Sequence, residues 1–150
     1  MKAKGFTLSR PVKFLLYSSL GLLLISGIAW LVLHYFFAVQ TDYATIPSSY
    51  ESLALSIHGL AVPVFLIVFG AIFPSHMKRG IKARRNMSSG ISMIVVFGLL
   101  LTTGYLLYYT GHETLRNISS LLHWLIGLSM TPILFLHIFK GRAAARPLKA

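Results

Sequence analysis

Four of the six histidines in this chain lie within or directly beside long apolar stretches: His58, His76, His123 and His137. Ionisable side chains at membrane depth are rare and usually functional. His58 and His76 are 18 residues apart, which is about five helical turns, so we expect both to project from one face of a helix. His123 and His137 are 14 residues apart, about 3.9 turns, and fall within roughly 40° of one face.

The two histidine pairs have similar surroundings along the chain. Residues 52–59 (SLALSIHG) resemble residues 117–124 (NISSLLHW), and each segment is followed by an apolar run with a proline and then by a second histidine before basic residues. The first histidine of each pair lies about 8 Å below the start of its apolar run. This similarity indicates a duplicated two-helix unit, with one histidine from each copy at matching depth.

Two imidazoles that face each other between apolar helices are typical of the axial ligands of a b-type haem. We therefore expect iron to be bound by an outer pair, His58 with His123, and by an inner pair, His76 with His137. Small residues offer room for the flat ring: Gly59, Gly70, Gly90, Gly98, Gly104, Gly127 and Ser129. Two plainer interpretations stay open, namely small-residue helix packing for the glycines and hydrogen bonds between helices for the histidines.

Several side chains near the ends of the apolar stretches are candidates to contact haem propionates. Arg79 is expected at the inner haem and Arg116 at the outer one, within a larger set: Lys78, Arg79, Lys82, Arg116, Tyr43 and Tyr50. His34, near the outer end of the first stretch, is a candidate contact for quinone or propionate, or an alternative outer ligand. His112 is expected to be a solvated loop residue.

Four apolar stretches must position these residues. The chain has 150 residues, of which 55% are hydrophobic and 11% are charged, and its mean hydropathy is +0.72. This composition is too apolar for a soluble domain of this size. Because a crossing helix needs about 20 apolar residues, we predict an all-α fold, an integral membrane four-helix antiparallel bundle that forms one domain over residues 1–150. The helices are expected over about 13–38, 51–74, 89–110 and 117–140.

Charge predicts the orientation of the bundle. Of the 14 Lys and Arg residues, four precede the first helix, five lie between the second and third, four follow the fourth, and Arg116 falls elsewhere. The positive-inside rule then places the N-terminus, the central loop and the C-terminus in the cytoplasm. The net charge of +11 is thereby explained without nucleic acid as a partner. We expect a multi-pass protein of the cell inner (cytoplasmic) membrane, in contact with the lipid bilayer.

Four crossings with histidines at His58, His76, His123 and His137 resemble the small bacterial four-helix membrane cytochromes b, which hold one or two haems. The resemblance covers the chain from the first helix to Lys140. Ligands in that family are often 13 to 14 residues apart on one helix. His123 and His137 fit this spacing, whereas the 18-residue step from His58 to His76 departs from it. The number of haem b groups, one or two, therefore stays open. The absence of cysteine excludes iron–sulfur clusters and covalent c-type haem.

The resemblance implies electron transfer between the quinone pool and a redox partner, by an electron-transfer protein or a subunit of a quinol oxidoreductase. Its implied partners are quinone or quinol, a periplasmic or membrane redox protein, and a second copy of the chain. The alternative is a non-redox membrane protein, either a small transporter or channel subunit or an anchor or assembly subunit of a larger membrane complex. A proton- or cation-coupled transporter usually buries Asp or Glu, yet all three acids lie outside the four apolar runs: Asp42, Glu51 and Glu113.

Overall fold

The computed structural model describes residues 9–82 and 86–143. It confirms the all-α prediction, with four long helices in the described chain: α1 (Arg10–Phe36), α2 (Glu51–Lys82), α3 (Met87–Tyr109) and α4 (Glu113–Ala143). All four are long and apolar enough to cross a membrane. Six of the basic residues behind the predicted orientation lie outside the described residues: Lys2, Lys4, Arg84, Arg85, Arg146 and Lys149.

Most helix ends lie within three residues of the prediction, and the largest differences are at the end of α2 and the start of α4. The sequence predicted that α2 ends at residue 74, but the helix continues through Pro74 to Lys82, so His76 is a helical residue. A proline removes only one backbone donor, so the helix can continue past it. α4 was predicted from residue 117 and instead begins at Glu113, which leaves residues 110–112 as the turn after α3.

A short antiparallel hairpin joins α1 to α2. Its strands are β1 (Val39–Gln40) and β2 (Thr45–Ile46), with Val39 opposite Ile46. Thr41 closes the turn, because its Oγ1 donates to the Ala44 carbonyl at 2.6 Å and accepts from the Ala44 N–H at 3.1 Å. The hairpin therefore keeps the end of α1 near the start of α2.

The chain forms two compact units, Met1–Phe73 and Pro74–Ala150. The first contains α1, the hairpin and most of α2, and the second contains the end of α2 with α3 and α4. The predicted single domain over residues 1–150 stays a prediction. In the second unit α3 and α4 pack against each other, and the buried residues of α3 include Ser89, Val96 and Thr103. Their seven-residue spacing is typical of helices that cross at a shallow angle.

Small hydroxyl residues occupy much of the helix interfaces: Ser19, Ser26, Ser89, Thr103 and Ser119 are all buried. Several of these hydroxyls donate to a carbonyl of their own helix, as Ser19 Oγ does to the Leu15 carbonyl at 2.7 Å. Such bonds satisfy a hydroxyl in apolar surroundings. Small side chains also let neighbouring helix backbones approach closely, which is the usual basis of helix packing in membranes.

Ser119 on α4 tests this packing, since it retains only 2% exposure. We expect Ser119→Leu to destabilise the protein by about 1–3 kcal/mol, because the added side chain overfills the interface. The effect is measured as a lower midpoint of thermal unfolding in detergent. Ser129→Leu is the matched control, since Ser129 is exposed on the same helix. An equal loss in both variants would contradict the described packing.

Candidate functional site

In the first unit, α2 directs His58 toward α1. The His58 Nδ1 lies 3.0 Å from the Ser26 Oγ. The next residue of α1 is Gly27, and a Cβ added there would lie 3.5 Å from the His58 Cε1. The imidazole is half-buried, held by a hydroxyl on one side and lying against a backbone without a side chain on the other.

In the second unit, α4 directs His123 toward α3 in the same way. The His123 Nδ1 lies 2.9 Å from the Thr103 Oγ1. Gly104 follows Thr103, and a Cβ at Gly104 would lie 3.3 Å from the His123 Cε1, which is closer than an ordinary contact. The surroundings of His123 therefore repeat those of His58, with threonine in place of serine.

His137 occupies a third site of this type, near the other end of α4. Its Nδ1 lies 3.1 Å from the Ser89 Oγ on α3, and its Cε1 lies 4.0 Å from a Cβ placed at Gly90. Asn86 adds a second support, because its Nδ2 donates to the backbone carbonyl of His137 at 2.9 Å. Asn86 has φ 54° and precedes the first turn of α3, a left-handed conformation that asparagine tolerates well.

We call the three pairs Ser26-Gly27, Ser89-Gly90 and Thr103-Gly104 the hydroxyl–glycine pairs. Ser89 and Thr103 are 14 residues apart on α3, as are His137 and His123 on α4. The two sites of the second unit are therefore about 21 Å apart along the helices. Both histidines of α4 face α3, as their spacing predicts.

The direction in which each hydroxyl donates its proton bears on which nitrogen of the neighbouring imidazole carries a proton. The Ser26 Oγ lies 2.6 Å from the Leu22 carbonyl, and the Thr103 Oγ1 lies 2.8 Å from the Leu99 carbonyl. A carbonyl only accepts, so each hydroxyl donates its single proton to its own helix. The hydroxyl oxygen can then accept from the imidazole Nδ1–H. In a neutral ring this arrangement leaves the lone pair on Nε2.

The same reasoning holds for His137. The Ser89 hydroxyl donates to the Asn86 Oδ1, so its oxygen can accept from the His137 Nδ1–H, and the Asn86 Nδ2 lies 3.4 Å from the same nitrogen. In a ring that carries its proton on Nδ1, Nε2 has the lone pair that can bind a proton or a metal. A metal-binding histidine usually has its second nitrogen engaged in this way, since the hydrogen bond orients the ring and raises its basicity.

His76 has a different environment. Its ring lies in the second unit with its centroid 5.9 Å from that of His137, at an interplanar angle of 60°. The His76 residue is exposed, and no hydrogen bond to its ring occurs within residues 9–82 and 86–143. The structure thus brings together the two histidines of the predicted inner pair. His58 belongs to the first unit and His123 to the second, and their pairing stays a prediction.

His34 is engaged at the outer end of the first unit. Its Nδ1 lies 3.3 Å from the Glu51 Oε2, and its ring stacks on Trp30 with centroids 4.7 Å apart. The Glu51 side chain retains 12% exposure, and its Oε1 is buried with no hydrogen-bond partner among the described residues. Sequence reasoning missed this pair, because the hairpin between α1 and α2 brings the two residues together.

The other predicted contacts lie on exposed parts of the helices. Arg79 is in the last turn of α2, and Arg116 lies near the start of α4; both are exposed. Their role at haem propionates stays a prediction, as it does for Lys78, Lys82, Tyr43 and Tyr50. His112 is exposed, as predicted, and its Nδ1 also accepts from the Leu115 N–H at 3.4 Å, which caps α4.

The glycines predicted to make room for a ring differ in their neighbours, and a Cβ at Gly127 would lie 3.8 Å from the Leu100 Cδ2. A Cβ at Gly70 or Gly98 would meet no atom within 4 Å, whereas Gly90 and Gly104 adjoin a histidine ring. Gly27 was absent from the prediction. A Ser/Thr-Gly pair on both α1 and α3 was the available signal, since it extends to these helices the repeat already visible in α2 and α4.

Gly104→Ala and Gly98→Ala form a matched pair on α3. Replacing glycine in a helix gains up to about 1 kcal/mol from backbone entropy, and we expect Gly98→Ala to show that gain. Gly104→Ala should be no more stable than the wild type, because the new Cβ displaces the His123 ring. Thermal unfolding in detergent measures both. An equal gain in the two variants would contradict the close contact at Gly104.

Comparison with known proteins finds no matching family model, no matching curated protein and no matching solved structure.

Proposed function

We propose that this protein is a b-type membrane cytochrome whose histidine Nε2 atoms bind haem iron, and that it transfers electrons between the quinone pool and a redox partner. The observation that carries the proposal is the set of three histidines held through Nδ1 by buried hydroxyls. His58, His123 and His137 lie within helices that are long and apolar enough to cross a membrane.

A hydrogen bond between helices engages the Nδ1 side of each ring. Iron at Nε2 would use the opposite side of the same ring, and the Nδ1 bond would keep the ring oriented toward the metal. The contacts that pack the helices would thus also orient the proposed ligands.

The inner pair fits shared ligation of one iron. His76 and His137 would be the residues that hold the inner iron, because their rings lie next to each other. The His76 and His137 centroids are 5.9 Å apart. When bound, a b-type haem supplies a one-electron centre whose potential depends on its axial ligands and surroundings. The protein's part is to hold the ligands and to exclude water.

The proposed setting is a four-helix antiparallel bundle in the inner membrane, with both termini and the α2–α3 connection in the cytoplasm. The described basic residues support this orientation under the positive-inside rule. Nearly all of them lie at the start of α1 or at the ends of α2 and α4: Arg10, Lys13, Lys78, Arg79, Lys82, Lys140 and Arg142.

A cleft in the first unit supports quinol as a partner. It lies between α1 and α2, has a volume of about 260 Å³ and is lined by Leu, Ile and Ala together with Ser26 and Tyr50. Ser26 also holds His58. An apolar cleft that reaches the support of a proposed iron ligand suits the ring and tail of a quinol. The His34–Glu51 pair, next along the chain to cleft residues, offers carboxylate and imidazole groups that can accept a proton.

The experiment compares Thr103→Val with Thr102→Val. Both replace a hydroxyl by a methyl group, but Thr103 holds His123, while Thr102 is exposed and bonds only to the Gly98 carbonyl of its own helix. Loss of a residue that orients a metal ligand typically weakens metal binding 10–100-fold. We expect that loss for Thr103→Val alone, measured by titrating haem into the haem-depleted full chain.

Equal haem affinities of the two variants would contradict the role of the hydroxyl–glycine pairs. A wild-type chain that takes up no haem would reject the cytochrome proposal altogether. In that case a small transporter or channel subunit, or an anchor or assembly subunit of a larger membrane complex, becomes the better explanation of the four apolar helices.

A further inference from the structure

The four histidines proposed as iron ligands differ in the side chains that hold their rings in place. His58, His123 and His137 each have Nδ1 held by a hydroxyl and a glycine beside the ring. His76 has neither feature within residues 9–82 and 86–143. Its described contact is the ring of His137, which is itself a proposed ligand of the same iron.

His76 also departs from the spacing of the other ligands along the chain. The residue 14 positions after His58, at the spacing that separates His123 from His137, is Ile72. His76 lies one further turn along α2, and the sequence places Pro74 and Ser75 immediately before it.

His137 is the better anchored member of the inner pair. Its Nδ1 is fixed by Ser89, and Asn86 holds both the Ser89 hydroxyl and the His137 carbonyl. An imidazole without an oriented Nδ1 typically binds a metal 10–100-fold more weakly than one with it. The His76 residue is also exposed, so a small molecule can approach the side of the iron that this ring would occupy.

We infer that His76 is a displaceable ligand, and that the inner haem, held by His137, binds a small uncharged ligand of ferrous iron in its place. This inference rests on the proposed haem binding and goes beyond it, because a purely electron-transferring haem keeps two firm axial ligands. The small molecule is expected to bind the inner haem only, because His58 and His123 each have the hydroxyl support that His76 lacks.

The test uses the haem-loaded full chain, reduced with dithionite and titrated with carbon monoxide. The optical spectrum should show carbon monoxide bound to the inner haem and not to the remaining haem. His76→Ala should keep its haem through His137 and bind carbon monoxide at least tenfold more tightly than the wild type, because no imidazole competes. Added imidazole should reverse this gain. His112→Ala, in the exposed turn before α4, is the control and should match the wild type.

Two results would overturn the inference. Either all haem in the wild type and in His76→Ala fails to bind carbon monoxide, or His76→Ala loses the inner haem as completely as His137→Ala does. Haem content is measured first on every sample with the pyridine haemochrome assay. A chain without haem refutes the proposed function together with the inference, whereas a haem-loaded chain that is inert to carbon monoxide refutes the inference alone.

Discussion

The hydrogen bond from an imidazole Nδ1–H to a helix hydroxyl is the interaction on which the rest of the site depends. Each hydroxyl has one proton and gives it to its own helix, as Ser26 does to Leu22 and Thr103 to Leu99. The oxygen is then left as an acceptor for the neighbouring ring. This constraint favours the tautomer with the proton on Nδ1, directs Nε2 away from the hydroxyl and matches the depth of each histidine to that of a residue on the facing helix.

The same contact shapes the packing of each unit. Lipid offers no hydrophobic gain for helix association, so close approach and polar contacts must supply it. Small hydroxyl residues and glycines meet both needs, and this explains why so many of the buried residues are serine or threonine. On α3 and α4 the contact recurs after 14 residues, which two heptads of shallow helix crossing require. The residues that pack the helices together are therefore also the residues that contact the histidines.

Sequence reasoning identified the parts of this arrangement that depend on local pattern. The four apolar helices follow from length and composition, and the orientation of His123 and His137 follows from helical periodicity. It missed the partners on α1 and α3, because the pairing of Ser26 with His58 depends on the register between two helices. It also ended α2 too early at Pro74, because a proline removes only one backbone donor and the helix can continue past it. The His34–Glu51 pair depends on the hairpin, which composition alone did not predict.

The most direct test is the reduced-minus-oxidised optical spectrum of the wild-type protein, purified after expression with adequate haem supply, with haem counted per chain. The proposed histidine ligation predicts a sharp b-type α-band and one or two haems per chain. A protein that folds in the membrane and carries no haem would contradict the account, because the three ordered imidazoles would then have no metal to bind.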